Sequence, residues 1–324
     1  MPEYMAVRKH HSLLEICRTP EIAAEVTITA AERLGVDAAI IFADLLLPFT
    51  PMGLDFEFVN GEGPVVHQPI RTLGQIQALR TDRTDELLYV SQAIEKVAKH
   101  FAAPRADGDQ LGIIGFCGAP FTLASYMIEG SGSRNYIEAK KLMYSTDGGW
   151  PLLMSKLVEV LVAYAAQQVE AGADVIQVFD SWAGALSVAD YRAYCLAPTT
   201  ELIHRIQALG VPVIYFGVDT ASLLPTFRET GADVLGLDWR IPLDEARRTL
   251  GPNVAVQGNL DPITLFAKEE MLKEQVREIL AAADGRAGHI FNLGHGIVPG
   301  TPVENVIRVV EWVKELSALG VAGR

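Results

Sequence analysis

The chain has 324 residues, of which 49% are hydrophobic and 21% charged, so it can bury a large core as one α/β barrel or two smaller domains. Its net charge of −13 argues against nonspecific binding to nucleic acid or to an anionic membrane surface. An anionic small-molecule substrate is compatible with this charge, provided that arginines cluster locally around it.

The sequence has no features of a secreted or membrane-bound protein. The longest apolar run, residues 38–49, is interrupted by Asp44 and is too short to cross a bilayer. The first residues have neither the basic nor the apolar region of a signal peptide. Cys17, Cys117 and Cys195 are far apart and have no metal-ligand spacing, which favours a reduced, cytoplasmic compartment.

In chain order, the first predicted helix spans residues 20–34 and has cap signals at Thr19 and Gly35. The apolar run 38–46 follows and is the first predicted strand. Residues 55–61 then alternate phenylalanine with acidic residues and end in Asn-Gly, which predicts a β-hairpin on the rim of the barrel.

From residue 84 onward, stretches with helical spacing alternate with short apolar runs. Helices are predicted at 84–101, 152–170 and 302–316, and strands at 111–117, 175–179, 211–216, 234–237, 254–257 and 289–293. Most of the apolar runs are continuous, rich in Val, Ile and Leu, and flanked by Gly, Asp or Pro. This pattern is typical of strands that are buried on both faces.

The alternation of strands and helices predicts a parallel sheet. An open dinucleotide-binding sheet lacks support, because no glycine-rich fingerprint follows the first strand. We therefore predict an α/β fold, a single (β/α)8 TIM-type barrel domain over residues 1–324. A closed barrel needs eight strands, whereas the sequence has seven apolar runs. One strand is either hidden from the pattern or missing from this chain.

Active sites of (β/α)8 enzymes lie at the carboxyl ends of the strands, so polar residues that interrupt or follow apolar runs are the candidates. Asp44, Ser181 and His295 are placed in this way, and Tyr126 lies just beyond the run 111–117. Each also has a structural explanation, as a turn residue, a helix N-cap, a loop histidine or a core tyrosine. Their common placement is the stronger signal. No hydrolase or zinc motif accompanies them, and nothing calls for a metal or an organic cofactor.

Blocks around these residues resemble the uroporphyrinogen decarboxylase family, in family order and over essentially the whole chain. They are residues 1–4, 40–44, 115–122, 126–130, 179–184, 236–239, 257–262 and 292–296. The resemblance implies removal of the four acetate carboxyl groups of uroporphyrinogen III, which gives coproporphyrinogen III in haem biosynthesis. It further implies that the enzyme uses no cofactor and is a homodimer.

By the same resemblance, Asp44 and Tyr126 are catalytic, and Arg8, Ser181 and His295 contact the substrate together with them. A carboxylate such as that of Asp44 suits the stabilisation of positive charge beside pyrrole N–H groups. The guanidinium of Arg8 has the geometry to hold a propionate or acetate arm with two hydrogen bonds.

The family pattern starts upstream, with an apolar strand and an Arg-Gln-Ala-Gly-Arg-Tyr segment, and this sequence begins just after it at Met1. We expect Met1 to be an internal methionine taken for the start; the alternative is a shortened, poorly active paralogue. Two other functions stay open: a barrel that binds a tetrapyrrole without turning it over, and a corrinoid- or thiol-dependent methyltransferase of the same fold. Residues 214–217 lack the zinc ligands that such a methyltransferase needs.

Overall fold

A computed structural model describes residues 1–59, 61, 63–104 and 110–318 of the chain. Its strands are β1 (Ala38–Ile40), β2 (Phe56–Val59), β3 (Gly63–Val66), β4 (Gly112–Gly118), β5 (Val175–Asp180), β6 (Val213–Gly217), β7 (Val234–Gly236), β8 (Ala255–Gln257) and β9 (His289–Ile290). Its α-helices are α1 (Pro2–Arg8), α2 (Leu13–Arg18), α3 (Pro20–Leu34), α4 (Phe49–Met52), α5 (Leu73–Ala78), α6 (Leu88–His100), α7 (Pro120–Glu129), α8 (Ile137–Met143), α9 (Gly149–Glu170), α10 (Val188–Tyr194), α11 (Leu196–Gln207), α12 (Leu224–Arg228), α13 (Leu243–Leu250), α14 (Glu269–Ala283) and α15 (Val303–Ala318).

Seven strands form one parallel sheet in the order β1-β4-β5-β6-β7-β8-β9. The sheet curls into part of a barrel, with helices between successive strands. Within the described residues, β1 and β9 each pair with one neighbouring strand, so the barrel is open between them. The predicted parallel barrel with seven strands in this chain is confirmed.

The predicted hairpin is also present, as a separate antiparallel pair of β2 and β3 in which Phe56 lies opposite Val66. Asn60, at its predicted turn, lies outside the described residues. The hairpin is tied to the barrel where the amide of Val66 donates to the carbonyl of Gly130 at 2.6 Å.

The first predicted strand, 38–46, was too long, because β1 ends at Ile40. The side chain of Asp44 accepts a hydrogen bond from the amide of Leu46 at 2.9 Å. A side chain that bonds the backbone two residues on stabilises a turn in place of a strand. Leu46 and Leu47 stay apolar for another reason: both are buried in the hydrophobic core.

The longest helix, α9, has the length and apolar composition of a membrane-spanning segment, but it is a core helix of the barrel. Leu153, Leu157 and Leu161 on one of its faces are fully buried. Gln168 fastens the helix to β4 by accepting from the amide of Phe116 at 2.9 Å and donating to the carbonyl of the same residue at 3.0 Å.

Candidate active site

A cavity of about 480 Å³ occupies the open side of the barrel, between β1 and β9. Its lining comes from α3, from β1, from the interior of the sheet and from the loop after β9. The members that carry polar side chains are Thr27, Gln177, Ser181, Gln257, Asn292 and His295. Two of the predicted site residues, Ser181 and His295, therefore share one cavity.

One wall of this region is a row of aromatic rings on three adjacent strands. The ring centroids of Phe116 and Phe179 are 5.6 Å apart and those of Phe179 and Phe216 are 5.8 Å apart, in edge-to-face contact. The row continues to His295, whose ring centroid is 6.4 Å from that of Phe216. Such a row offers an apolar surface of alternating ring edges and faces to an aromatic ligand.

The interior of the barrel below this row is polar. Gln257 donates through its amide to the side-chain oxygen of Gln177 across the barrel, at 3.3 Å. Both side chains are buried, and both line the cavity. A buried amide must find hydrogen-bond partners, so this pair provides a satisfied polar floor beneath the apolar wall.

Asp44 and Tyr126 form a second group. Burial raises the pKa of the half-buried Asp44 carboxyl to about 6, although its hydrogen bond from Leu46 favours the charged form. Burial also raises the pKa of the Tyr126 phenol to about 12, and the negative charge of Asp44 adds to that increase. The two groups therefore lie within electrostatic reach of each other, one ionised and one neutral at neutral pH.

Trp182 connects the two groups. Its ring centroid is 5.7 Å from that of Tyr126, and its side chain lowers the pKa of the Tyr126 phenol, against the larger effect of burial. In the chain it directly follows Ser181, which lines the cavity. The structure thus places Ser181 and His295 in one cavity and Asp44 within electrostatic reach of Tyr126. Asp44 and Tyr126 do not line that cavity, and Trp182 links Tyr126 to its edge.

Arg8, the fifth predicted residue, lies at the end of α1 on the side of Asp44. It donates to the carbonyl of His11 at 2.7 Å. Both Asp44 and Arg8 influence the thiol of the buried Cys17, whose pKa burial raises to about 12 while Asp44 raises it further and Arg8 lowers it. Arg8 is half-buried and belongs to the surroundings of Asp44 rather than to the lining of the cavity.

A further set of residues beside His295 was not among the predicted site residues, although Asp238 and Trp239 lie in the block 236–239 that resembles the family. The ring centroid of Trp239 is 6.2 Å from that of His295, and the guanidinium of Arg240 lies 4.1 Å above the Trp239 ring. The buried Asp238 accepts from Nη1 of Arg240 at 2.6 Å and from the amide of Asp219. A rigid aromatic and cationic edge therefore borders His295.

The site combines an apolar aromatic wall, a carboxylate with a raised pKa and a neutral phenol. The aromatic wall can contact an apolar ring, and a carboxylate as poorly solvated as that of Asp44 can oppose a nearby positive charge. Among the described residues, no three His, Cys, Asp or Glu side chains converge as a metal site requires.

The uroporphyrinogen decarboxylase (URO-D) family model matches residues 1–316. A uroporphyrinogen decarboxylase of Koribacter versatilis is 60% identical over 319 residues, which cover 98% of this chain and 89% of that protein. One of Solibacter usitatus is 50% identical over 315 residues, covering 97% and 90%. Among solved structures, a methyltransferase from Methanosarcina mazei has the same fold, with a TM-score of 0.77 and 22% identity over 93% of this chain and 87% of the other. The chain belongs to the uroporphyrinogen decarboxylase family.

Proposed function

We propose that this protein is a carboxy-lyase that converts uroporphyrinogen III to coproporphyrinogen III in haem biosynthesis. It removes the four acetate carboxyl groups without a metal or an organic cofactor. The observation that carries the proposal is Asp44, a carboxyl whose pKa burial raises to about 6 and whose charge acts on Tyr126. Tyr126 packs against Trp182, the neighbour in the chain of the cavity residue Ser181. The identity of 60% to a uroporphyrinogen decarboxylase over nearly the whole chain supports it.

The chemistry explains why a carboxylate is needed and a cofactor is not. A proton added to the pyrrole α-carbon, next to the ring carbon that bears the acetate arm, turns the ring into a cation whose positive charge reaches the acetate-bearing carbon. The bond to the carboxylate carbon then breaks, CO2 leaves, and the bonding electron pair flows into the ring. The exocyclic carbon takes up a second proton while the ring carbon returns the first. The net change is the replacement of CO2 by one proton, which leaves a methyl group.

In this scheme Asp44 faces the pyrrole N–H groups and stabilises the ring cation. Its pKa of about 6 keeps it largely ionised at neutral pH. Tyr126, with a pKa of about 12, is a neutral hydrogen-bond donor to a carboxylate or to a bound water. Ser181, His295 and Arg8 bind the carboxylate arms, because a hydroxyl, an imidazole and a guanidinium all donate hydrogen bonds to carboxylate oxygens.

The test is an anaerobic assay with uroporphyrinogen III in which products are separated by their number of carboxyl groups. We expect products with seven, six, five and finally four carboxyl groups. A second version of the chain, with the family's Arg-Gln-Ala-Gly-Arg-Tyr segment ahead of Met1, is assayed beside it. Tight binding of the substrate by both versions without loss of CO2 would replace the proposal with a tetrapyrrole-binding role.

We further propose that the protein acts in the cytoplasm as a homodimer. The three cysteines are free and buried, as expected for a protein of a reducing compartment. Light scattering after size exclusion should give twice the chain mass of 35.2 kDa. A mass of one chain at micromolar concentration would contradict the dimer.

A further inference from the structure

The side chain of Asp180, at the end of β5, is fully buried and makes a chain of hydrogen bonds to hydroxyl groups. Thr122 donates to one carboxylate oxygen at 2.7 Å, and Tyr215 donates to the other at 2.6 Å. Tyr191 bonds the hydroxyl of Tyr215 at 2.6 Å. All four side chains are fully buried.

Burial of a carboxylate such as that of Asp180 lowers the stability of the fold. Burial raises the pKa of Asp180 to about 6, although the hydrogen bonds from Tyr215 and Thr122 favour its charged form. Replacement of a buried polar network by apolar side chains of the same shape is often neutral or stabilising. The network therefore needs an explanation beyond stability.

The hydrogen bonds of Asp180 lead to the candidate active site in two directions. Along the chain, Asp180 is followed directly by Ser181 and Trp182. In space, the hydroxyl of Thr122 that donates to Asp180 also accepts from the amide of Trp182, at 3.2 Å. Thr122 lies on α7, and Tyr126 lies one turn later on the same helix.

One hydroxyl therefore fastens the loop after β5 to the helix that carries Tyr126. The amide of Ala119, just before α7, strengthens this junction by donating to the carbonyl of Phe179 at 2.8 Å. On the other side, Tyr215 fixes the second carboxylate oxygen from the neighbouring strand β6. Both rotation of the carboxylate and movement of the loop are thereby restricted.

We propose that Asp180 is a positioning residue for the decarboxylation: through Thr122 and Tyr215 it holds Ser181 and Tyr126 in a fixed relation to each other across the site. The inference rests on the proposed function. Asp180 itself does not touch the substrate, because its carboxylate is enclosed behind the loop. Its effect on the reaction passes through the residues that it orients.

The first test is a double-mutant cycle on kcat/KM with Thr122→Val and Tyr126→Phe. Loss of a hydrogen bond to a charged group corresponds to a fall of roughly tenfold or more. We expect T122V to lower kcat by this factor because Tyr126 loses its position, and to raise KM because the loop of Ser181 is freed. In the Y126F background the same change should cost less than about threefold, because pairs that act as one unit are not additive. Equal losses in both backgrounds would overturn the inference.

A matched control is Thr230→Val. Thr230 is also fully buried and donates its hydroxyl to the carbonyl of Phe227, whose ring packs on Tyr191 and Tyr215. Thr230 thus tests the loss of a buried hydroxyl near the network that leaves the hydrogen bonds of Asp180 and Thr122 in place. Both valine variants should lose stability in urea, but only T122V should lose kcat. Tyr215→Phe should resemble T122V. Tyr191→Phe, which leaves both contacts of Asp180 in place, should have the smaller effect.

A second measurement does not depend on turnover. Hydrogen exchange at the amide of Trp182 should be at least about tenfold faster in T122V than in the wild type, since this amide loses its acceptor, and unchanged in T230V. Unchanged exchange in T122V would overturn the tether whether or not the enzyme is active. A wild type that binds uroporphyrinogen III without decarboxylating it, but shows the expected exchange, would overturn the proposed function and the catalytic part of this inference.

Discussion

Substitution of Asp44 by asparagine tests two properties of this carboxyl separately. One is the cost in stability of burying its charge, and the other is its proposed role in the reaction. Burial moves the pKa of this carboxyl from 3.8 to about 6, which corresponds to about 3 kcal/mol of free energy against its ionised form. Because the side chain is only half-buried, solvent screening reduces this value, and we expect about 1–3 kcal/mol. Asparagine keeps an oxygen to accept from Leu46 and has no charge to desolvate.

The sign of the pH dependence follows from proton linkage. Between pH 3.8 and 6 the unfolded chain has lost the Asp44 proton while the folded protein still holds it, so stability falls as the pH rises. Above pH 6 the penalty is complete. Asp44→Asn should therefore be more stable than the wild type above pH 6, and its advantage should shrink as the pH falls towards 4.

Urea unfolding at a series of pH values measures this difference, with the exposed Asp55→Asn as the control that should change little. The same variant should lose about two to three orders of magnitude in kcat, because the group that opposes the ring cation is gone. A D44N protein that is less stable at pH 7.5, or whose advantage does not depend on pH, would refute the reasoning about desolvation. Full activity in D44N would refute its proposed role.

Three further predictions concern the other site residues. Ser181→Ala and His295→Phe should each raise KM for uroporphyrinogen III by roughly tenfold with a smaller effect on kcat, since each removes one donor to a carboxylate arm. Steady-state kinetics with the purified variants measures the two constants separately. Tyr126→Phe should lower kcat by about tenfold without shifting the pH profile between 6 and 9, because a phenol with a pKa of about 12 does not titrate there. Gln257→Leu should cost about 1–3 kcal/mol in urea unfolding by leaving the buried amide of Gln177 without its partner, and the double variant with Gln177→Leu should cost less than the sum of the two single changes.

The strands of the barrel could be predicted from the sequence because a strand buried on both faces must be a continuous apolar run. Seven such runs became seven strands, and the position of Ser181 and His295 after two of them placed both in the cavity. The extent of β1 could not be predicted in this way. Hydrophobicity does not distinguish a buried strand from a buried turn, and Leu46 and Leu47 are apolar for packing in the helical layer.

The aromatic wall left a signal in the sequence that was not used. A phenylalanine lies one or two residues before the end of three consecutive strands, at Phe116, Phe179 and Phe216. Adjacent parallel strands in register bring such residues together, as the pairing of Phe179 with Phe216 shows. The repetition of phenylalanine close to the end of successive strands would have predicted the aromatic wall.

The network of Asp180 left no comparable signal. Its partners, Thr122 and Tyr215, lie 58 and 35 positions away along the chain. Each residue alone is an ordinary member of a helix or a strand. These residues contact one another only in the folded protein. No periodicity in a single sequence links positions so far apart.

Among the described residues, burial raises the pKa of two carboxyls, Asp44 and Asp180, to about 6. The pKa therefore does not distinguish the proposed catalytic group from the proposed positioning group. Their hydrogen bonds do. Asp180 is fully buried, and both of its oxygens are held by hydroxyl donors. Among the described residues, Asp44 accepts only from the amide of Leu46, through one oxygen. A carboxylate has room for about four acceptor contacts. The carboxylate of Asp44 can therefore accept further hydrogen bonds, for example from pyrrole N–H groups. Both oxygens of Asp180 already accept hydrogen bonds from Thr122 and Tyr215 inside the protein.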